Sequence, residues 1–199
     1  GTPLSLDQAP AGAPNVVVVL LDDVGFGSFS TFGGPITTPA CDRVAAQGLR
    51  YNQFHTTALC APTRASLLTG RNHHTVHMGC ITEVANSFPG YDSIIPAEAA
   101  TVAEVLRSNG YTTGMFGKGH LTPRWEVGPA GPFDRWPTGL GFDRFYGFPG
   151  AETSQFEPAL YDQTTPIEPY VGREDYHLTE DLAEQSINWM QQVKAHRPD

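Results

Sequence analysis

The sequence is poor in the features that define several large protein classes. Its three cysteines, Cys41, Cys60 and Cys80, in 199 residues are too few, and odd in number, for a disulfide scaffold. No apolar run approaches the roughly 20 residues that cross a bilayer. The longest is Val16 to Leu21, so the chain does not read as a membrane protein. Positive charge is scarce: 12 basic residues stand against 21 acidic ones, a net charge of -9, which disfavours nucleic acid and anionic membrane surfaces as partners. A protein this acidic also gains little long-range steering of an anionic substrate, so an anionic ester would need cations placed locally. Repeats and low-complexity tracts are absent. The chain opens at Gly1 without a charged-then-apolar leader, a start that suits a removed signal or a longer gene, and the compartment stays open between periplasmic or secreted and cytoplasmic.

What is present fits one soluble core of ordinary size. Residues 1–14 are small, polar and proline-rich and read as a mobile lead-in. Asn15 to Leu21 is an unbroken, β-branched run without alternation, the pattern of a central strand covered on both faces. Thr38-Pro39 opens a structural helix that closes at Gly48, with Cys41 a small core filler inside it. Leu49 to His55 reads as a short strand. Thr101-Val102-Ala103-Glu104 is a capping box ahead of a helix that ends at Gly110, and Tyr111 to Phe116 reads as a second strand. From Pro123 to Gly150 the spacing predicts a long ordered loop whose aromatics either line a pocket for an apolar alcohol or pack on the sheet. Thr179 opens an amphipathic final helix that wants a neighbour to pack on. Strand, helix, helix, strand order indicates an α/β fold with a mixed, mostly parallel sheet.

Chemistry concentrates at four places. Asp22 and Asp23 follow the first predicted strand, where open α/β sheets place their ligands. They read either as a solvated turn or as a carboxylate pair whose repulsion a hard divalent cation would relieve. Cys60-Ala61-Pro62-Thr63-Arg64 leads a short helix bounded by Pro62 and Gly70. A cysteine there faces free amides and the positive end of the helix dipole, which favour anions and a thiolate, while Arg64 can point back at it. The alternative is a buried core cysteine. His73, His77 and Cys80 have helical metal spacing, but no further ligand completes the set, and the segment reads as a pocket wall. Lys118 and His120, two apart past the second strand, would share one side, offering a cation and a group titrating near neutral pH.

Cys-x-Pro-x-Arg followed by Leu67-Leu68-Thr69-Gly70-Arg71 resembles the signature of the type I sulfatases, in the alkaline phosphatase superfamily. A tyrosine phosphatase loop would need arginine where Ser66 stands, and a zinc or thioredoxin motif would need cysteine where Thr63 stands. Gly117-Lys118-Gly119-His120 and Gly141-Phe142-Asp143 are similar to further elements of that family. Gly119 departs from it, since many members carry an aromatic there, and implies a more open pocket wall. The resemblance runs from about Asn15 to the end and implies an N-terminal portion, residues 15–199, of a sulfatase catalytic domain with an alkaline phosphatase/sulfatase-like fold.

The resemblance further implies that a formylglycine-generating enzyme oxidises Cys60 to formylglycine, whose hydrate is the nucleophile. Asp22, Asp23 and residue 60 would bind calcium, or magnesium. Arg64 would hold the hydrate, and Lys118 would neutralise sulfate oxygens. His120 would take a proton from the second hydroxyl to expel sulfate. The substrate would be a small sulfate ester, with the aromatic loop inclining to aryl sulfates. The family's remaining cation ligands and a further His and Lys come from later positions, so the isolated 199 residues are expected to be inactive. Rivals are a phosphonate or phosphate ester hydrolase of the same superfamily and a non-catalytic anion-binding module in which Cys60 stays a thiol.

Overall fold

A computed structural model describes residues 8–196; part of the predicted lead-in, residues 1–7, and the final 197–199 lie outside the described residues. Helix α1 runs Pro39–Gln47, α2 Cys60–Thr69, α3 Val102–Ser108 and α4 Leu178–His196, and the strands are β1 Gly114–Lys118, β2 Arg144–Phe148, β3 Leu160–Asp162 and β4 Thr165–Ile167. The strands form one mixed sheet in sequence order: β1 and β2 pair in parallel, and β2–β3 and β3–β4 are antiparallel. The α/β class with a mixed sheet expected from the sequence is therefore present, but among the described strands two of the three pairings are antiparallel, so the sheet is not mostly parallel.

Local signals place the helices well. The Thr101 hydroxyl accepts from the Glu104 amide at 3.1 Å, and the Glu104 carboxylate accepts from the Thr101 amide at 2.7 Å, closing the predicted capping box. Gly70 ends α2 at φ 64°, a left-handed turn that glycine adopts without cost. Thr38 precedes α1 but makes no side-chain cap, and its hydroxyl pairs with Ser30 instead.

The strands depart further from expectation. Val16 to Leu21 forms no strand among the described residues and lies exposed, Val19 at 78 %. None of the four strands pairs with it. Leu49 to His55 is likewise not a strand, for the same reason. The second predicted strand is real but displaced to Gly114–Lys118. The long loop read over Pro123 to Gly150 is shorter than expected, because its end is β2. Four of its aromatics are interior, Trp136 and Phe145 fully buried and Tyr146 and Phe148 nearly so, whereas Trp125 is 61 % exposed. The buried ones belong to the sheet or pack on it: Phe145, Tyr146 and Phe148 lie in β2, and the Trp136 ring meets Phe145 and Tyr161 edge-on. Gly147 is required where β1 and β2 approach, since a Cβ there would lie 2.0 Å from the Gly117 carbonyl oxygen.

Two apolar clusters result. Ala61, Ala65, Val76, Met78, Ala99 and Leu121 gather around α2, and Tyr146, Phe148, Leu160, Tyr176 and Leu178 lie around β2 and the start of α4. The final helix has the neighbour its pattern asks for: the Trp189 and Phe116 rings sit 5.7 Å apart, joining α4 to β1. At the start of α4 the buried Asp181 accepts from the hydroxyls of Tyr146 at 2.7 Å and Tyr176 at 2.8 Å.

Asp181→Ala strands both hydroxyls and is expected to cost on the order of 3 kcal/mol in urea unfolding. Burial, then the contact with Asp181, pushes both tyrosines above their ordinary value. The unfolded chain therefore ionises first, and stability is expected to fall as pH rises beyond about 10. Tyr146→Phe should flatten that fall, read as the urea midpoint against pH.

Candidate functional site

The site lies at the carboxyl end of β1, where the α/β arrangement leaves strand ends open to ligands. β1 and β2 remain in register beyond the strands. The Gly119 amide donates to the Phe148 carbonyl at 2.8 Å and the His120 amide to the Pro149 carbonyl at 3.0 Å. Held in this way, Lys118 and His120 leave the sheet in fixed directions. The sequence alternation predicted that they share a side, but the chain turns at His120, which adopts φ 53°. Their side chains consequently take different partners. Gly119 packs beneath the next loop, where an added Cβ would lie 3.3 Å from the Pro149 Cα and crowd it.

Three of the predicted residues meet directly. Asp22 accepts from Arg64 Nη2 at 3.1 Å through one carboxylate oxygen and from Lys118 Nζ at 2.8 Å through the other. Arg64 Nη1 also donates to the Lys118 carbonyl at 2.8 Å. Partial burial raises the Asp22 carboxyl, but hydrogen bonds from Lys118 and Arg64 and their charges outweigh it, so the group is held below its ordinary value and ionised. Arg64 is a buried residue of α2, and its Nε is buried without a partner among the described residues.

Cys60 is the first residue of α2, after Leu59 at the cap position. It is half-buried and a free thiol. The hydrogen bonds of Arg64 go to Asp22 and Lys118, not back to Cys60 as the sequence suggested. Asp23 is exposed, at φ 55°, and makes no hydrogen bond or ion pair among the described residues. The acidic doublet is thus split between one engaged carboxylate and one free one.

His120 is 1 % exposed. Its Nε2 lies 2.9 Å from the Glu83 carboxylate, and its Nδ1 is buried with no partner among the described residues. Burial lowers the imidazole pKa, the Glu83 contact raises it, and the Lys118 and Arg64 charges lower it again, with a net downward shift. At neutral pH the ring is neutral and the Glu83 contact is a hydrogen bond. The influence of Lys118 and Arg64 puts His120 in the same electrostatic neighbourhood as the Asp22 node. Glu83 was not identified from the sequence: it lies 37 positions from His120, in a 3-10 turn Thr82–Val84 that no motif marks.

The His73, His77 and Cys80 segment is not helical. His77 sits at φ 65° and pairs with Asp92 at 3.0 Å, while His73 Nδ1 contacts the Met78 carbonyl at 3.0 Å. No group of three or more His, Cys, Asp or Glu residues that could hold a metal is assembled among the described residues.

Comparison with known proteins places this arrangement in context. The sulfatase family model matches residues 14–199. The chain is 45 % identical to human arylsulfatase A over 148 residues, covering 73 % of this chain and 27 % of that protein. It is 33 % identical to the arylsulfatase of Klebsiella aerogenes over 196 residues, covering 93 % of this chain and 40 % of that one. Among solved structures, the PsFucS1 sulfatase from Pseudoalteromonas sp. superposes with a TM-score of 0.62 at 22 % identity, covering 89 % of this chain and 40 % of that one. The chain therefore spans about a quarter to two fifths of the length of these relatives. With the match running along nearly all of it, the chain belongs to the sulfatase family.

Proposed function

We propose that this chain supplies the nucleophile side of a sulfate ester hydrolase, with residue 60 as the attacking group after oxidation of Cys60 to formylglycine. The observation that carries the reading is the meeting of Asp22, Arg64 and Lys118 at the carboxyl end of β1, in a chain whose Cys60 and Arg64 share one helix. The hydrated aldehyde supplies a nucleophilic oxygen and a second hydroxyl that an unmodified cysteine lacks. A formylglycine-generating enzyme is then a partner in maturation.

Asp22 and Asp23 offer the hard oxygen donors that calcium, or magnesium, takes, and the thiol of Cys60 does not. By donor chemistry the pair suits part of such a shell, which takes about six to eight oxygens for calcium, although among the described residues no metal-holding group is assembled and Asp22 is engaged by Arg64 and Lys118. Asp22 and Asp23 would hold the ion together with the residue-60 hydrate, and a bound cation there polarises ester oxygens. The chain's own cations do the remaining electrostatic work. Lys118 and Arg64 concentrate positive charge in a protein of net charge -9, where a sulfate group would otherwise be repelled. Lys118, its side chain 12 % exposed, neutralises sulfate oxygens as charge moves to the leaving alcohol. Arg64 would offer the hydrate its Nε, buried without a partner among the described residues, and keeps Lys118 in place through its carbonyl. His120, neutral at pH 7, is in the state needed to accept a proton from the second hydroxyl.

The substrate class is a small sulfate ester. The relatives include proteins named arylsulfatase, which supports an aryl leaving group. The buried aromatics of residues 123–150 do not add to that support.

Mass spectrometry of the tryptic peptide spanning residues 51–64, from a host with the converting enzyme, is expected to show aldehyde in place of thiol at residue 60. A thiol throughout would favour an anion-binding module. The full mature chain should hydrolyse 4-nitrophenyl sulfate faster than the corresponding phosphate and phosphonate esters, and the reverse order would reassign the reaction to those esters. Lys118→Ala is expected to lower kcat about 100- to 1,000-fold, the scale for removing one preorganised oxyanion contact. An unchanged kcat would remove Lys118 from the mechanism.

A further inference from the structure

We infer that Glu83 is the positioning residue that fixes the tautomer and direction of His120, so that the imidazole presents Nδ1 as its basic nitrogen. The inference deepens the proposed function and rests on it only in taking His120 as the base.

Glu83 is anchored from both carboxylate oxygens. Oε1 accepts from the hydroxyl of Thr82, itself buried, at 3.1 Å, and Oε2 faces His120 Nε2 at 2.9 Å. Burial raises the Glu83 carboxyl, but the hydrogen bond from His120, one from its own backbone amide, the charge of the imidazole and the Thr82 contact carry it below its ordinary value. It is therefore an anion at neutral pH and can only accept. The proton of a neutral His120 must then sit on Nε2, leaving the lone pair on Nδ1. That atom is the one left buried and without a partner among the described residues. An unpaired polar atom on a ring 1 % exposed costs free energy unless something is meant to meet it. The backbone that carries the ring is held too: His120 adopts φ 53° with its amide bonded to the Pro149 carbonyl at 3.0 Å.

The hydroxyl proton passes to Nδ1, the Nε2–H stays with Glu83, and the resulting imidazolium is stabilised by a carboxylate that remains ionised. This is the role a carboxylate plays beside a catalytic histidine in hydrolases generally. The groups facing the imidazole are Glu83, which raises its pKa, and Lys118 and Arg64, which lower it. Removing the Glu83 charge therefore moves the titration of His120 downward.

The test uses the full mature chain and two variants, Glu83→Gln and Glu83→Ala, with two readouts. Nitrogen-15 spectra of labelled histidine above the titration should show the Nε2–H form of His120 in the unaltered protein and a mixture of tautomers in the variants. With 4-nitrophenyl sulfate, kcat should fall about tenfold or more while KM stays within about twofold, and the acid limb of the kcat–pH profile should move to lower pH. An Nδ1–H form in the unaltered protein would overturn the inference, as would a variant whose kcat falls uniformly without movement of the acid limb. If the unaltered protein does not cleave the sulfate ester, the proposed function fails, while the tautomer spectra still decide the role of Glu83.

Discussion

One carboxylate holds the site together. Asp22 is shared between Arg64, 42 positions along the chain, and Lys118, 96 positions along it, so three segments remote in sequence are tied at one point. The carboxylate is partly open to solvent, with 39 % of its side chain exposed, and pairs of that kind contribute little to global stability. Its importance is positional. Two cations brought this close would repel each other, and an anion between them lets both stand at the end of β1. The buried guanidinium and the Lys118 carbonyl complete the geometry from the other side.

How much of this was legible in the sequence depends on how local the signal is. The capping box at Thr101 and the glycine closing α2 are decided within one helical turn, and both are present as read. Strand pairing is not local. Val16 to Leu21 has the composition of a buried strand, yet composition does not supply a partner, and none of the described strands pairs with it. β2 was hidden for the opposite reason: glycine and aromatics inside a proline-rich stretch read as loop, although Gly147 is there because β1 comes too close for a side chain. The β3–β4 hairpin was missed as well. Its turn uses Gln163 at φ 57° in place of the usual glycine or asparagine. The side chain of that residue bonds the Phe145 amide at 2.8 Å and the Asp143 carbonyl at 3.0 Å, so tertiary contacts hold a conformation that local propensity would not choose.

The candidate site shows the same division. Arg64 and Lys118 could be picked out because each stands in a short pattern tied to a helix start or a strand end; Asp22 was read from a strand that does not form, and the structure joins it to the other two all the same. His73 and His77 also stood in a short pattern, but that pattern presumed a helix, and the left-handed backbone at His77 shows that none forms there. Glu83 had no pattern at all. A residue whose role is to receive one hydrogen bond from a distant ring leaves no spacing rule behind.

Two acidic residues therefore do similar physical work in different surroundings. Asp22 and Glu83 are both held below the ordinary carboxylate range although burial alone would raise them. Neither is poised to give up a proton near neutral pH, so neither is suited to be a general acid. Each instead directs a nitrogen group: Asp22 steadies Lys118 and Arg64, and Glu83 steadies His120. In a chain with 21 acidic and 12 basic residues, the surplus of negative charge would ordinarily oppose an anionic substrate. Here two of those carboxylates hold the few cationic and basic groups at the strand end in place, Asp22 between Arg64 and Lys118 and Glu83 on His120.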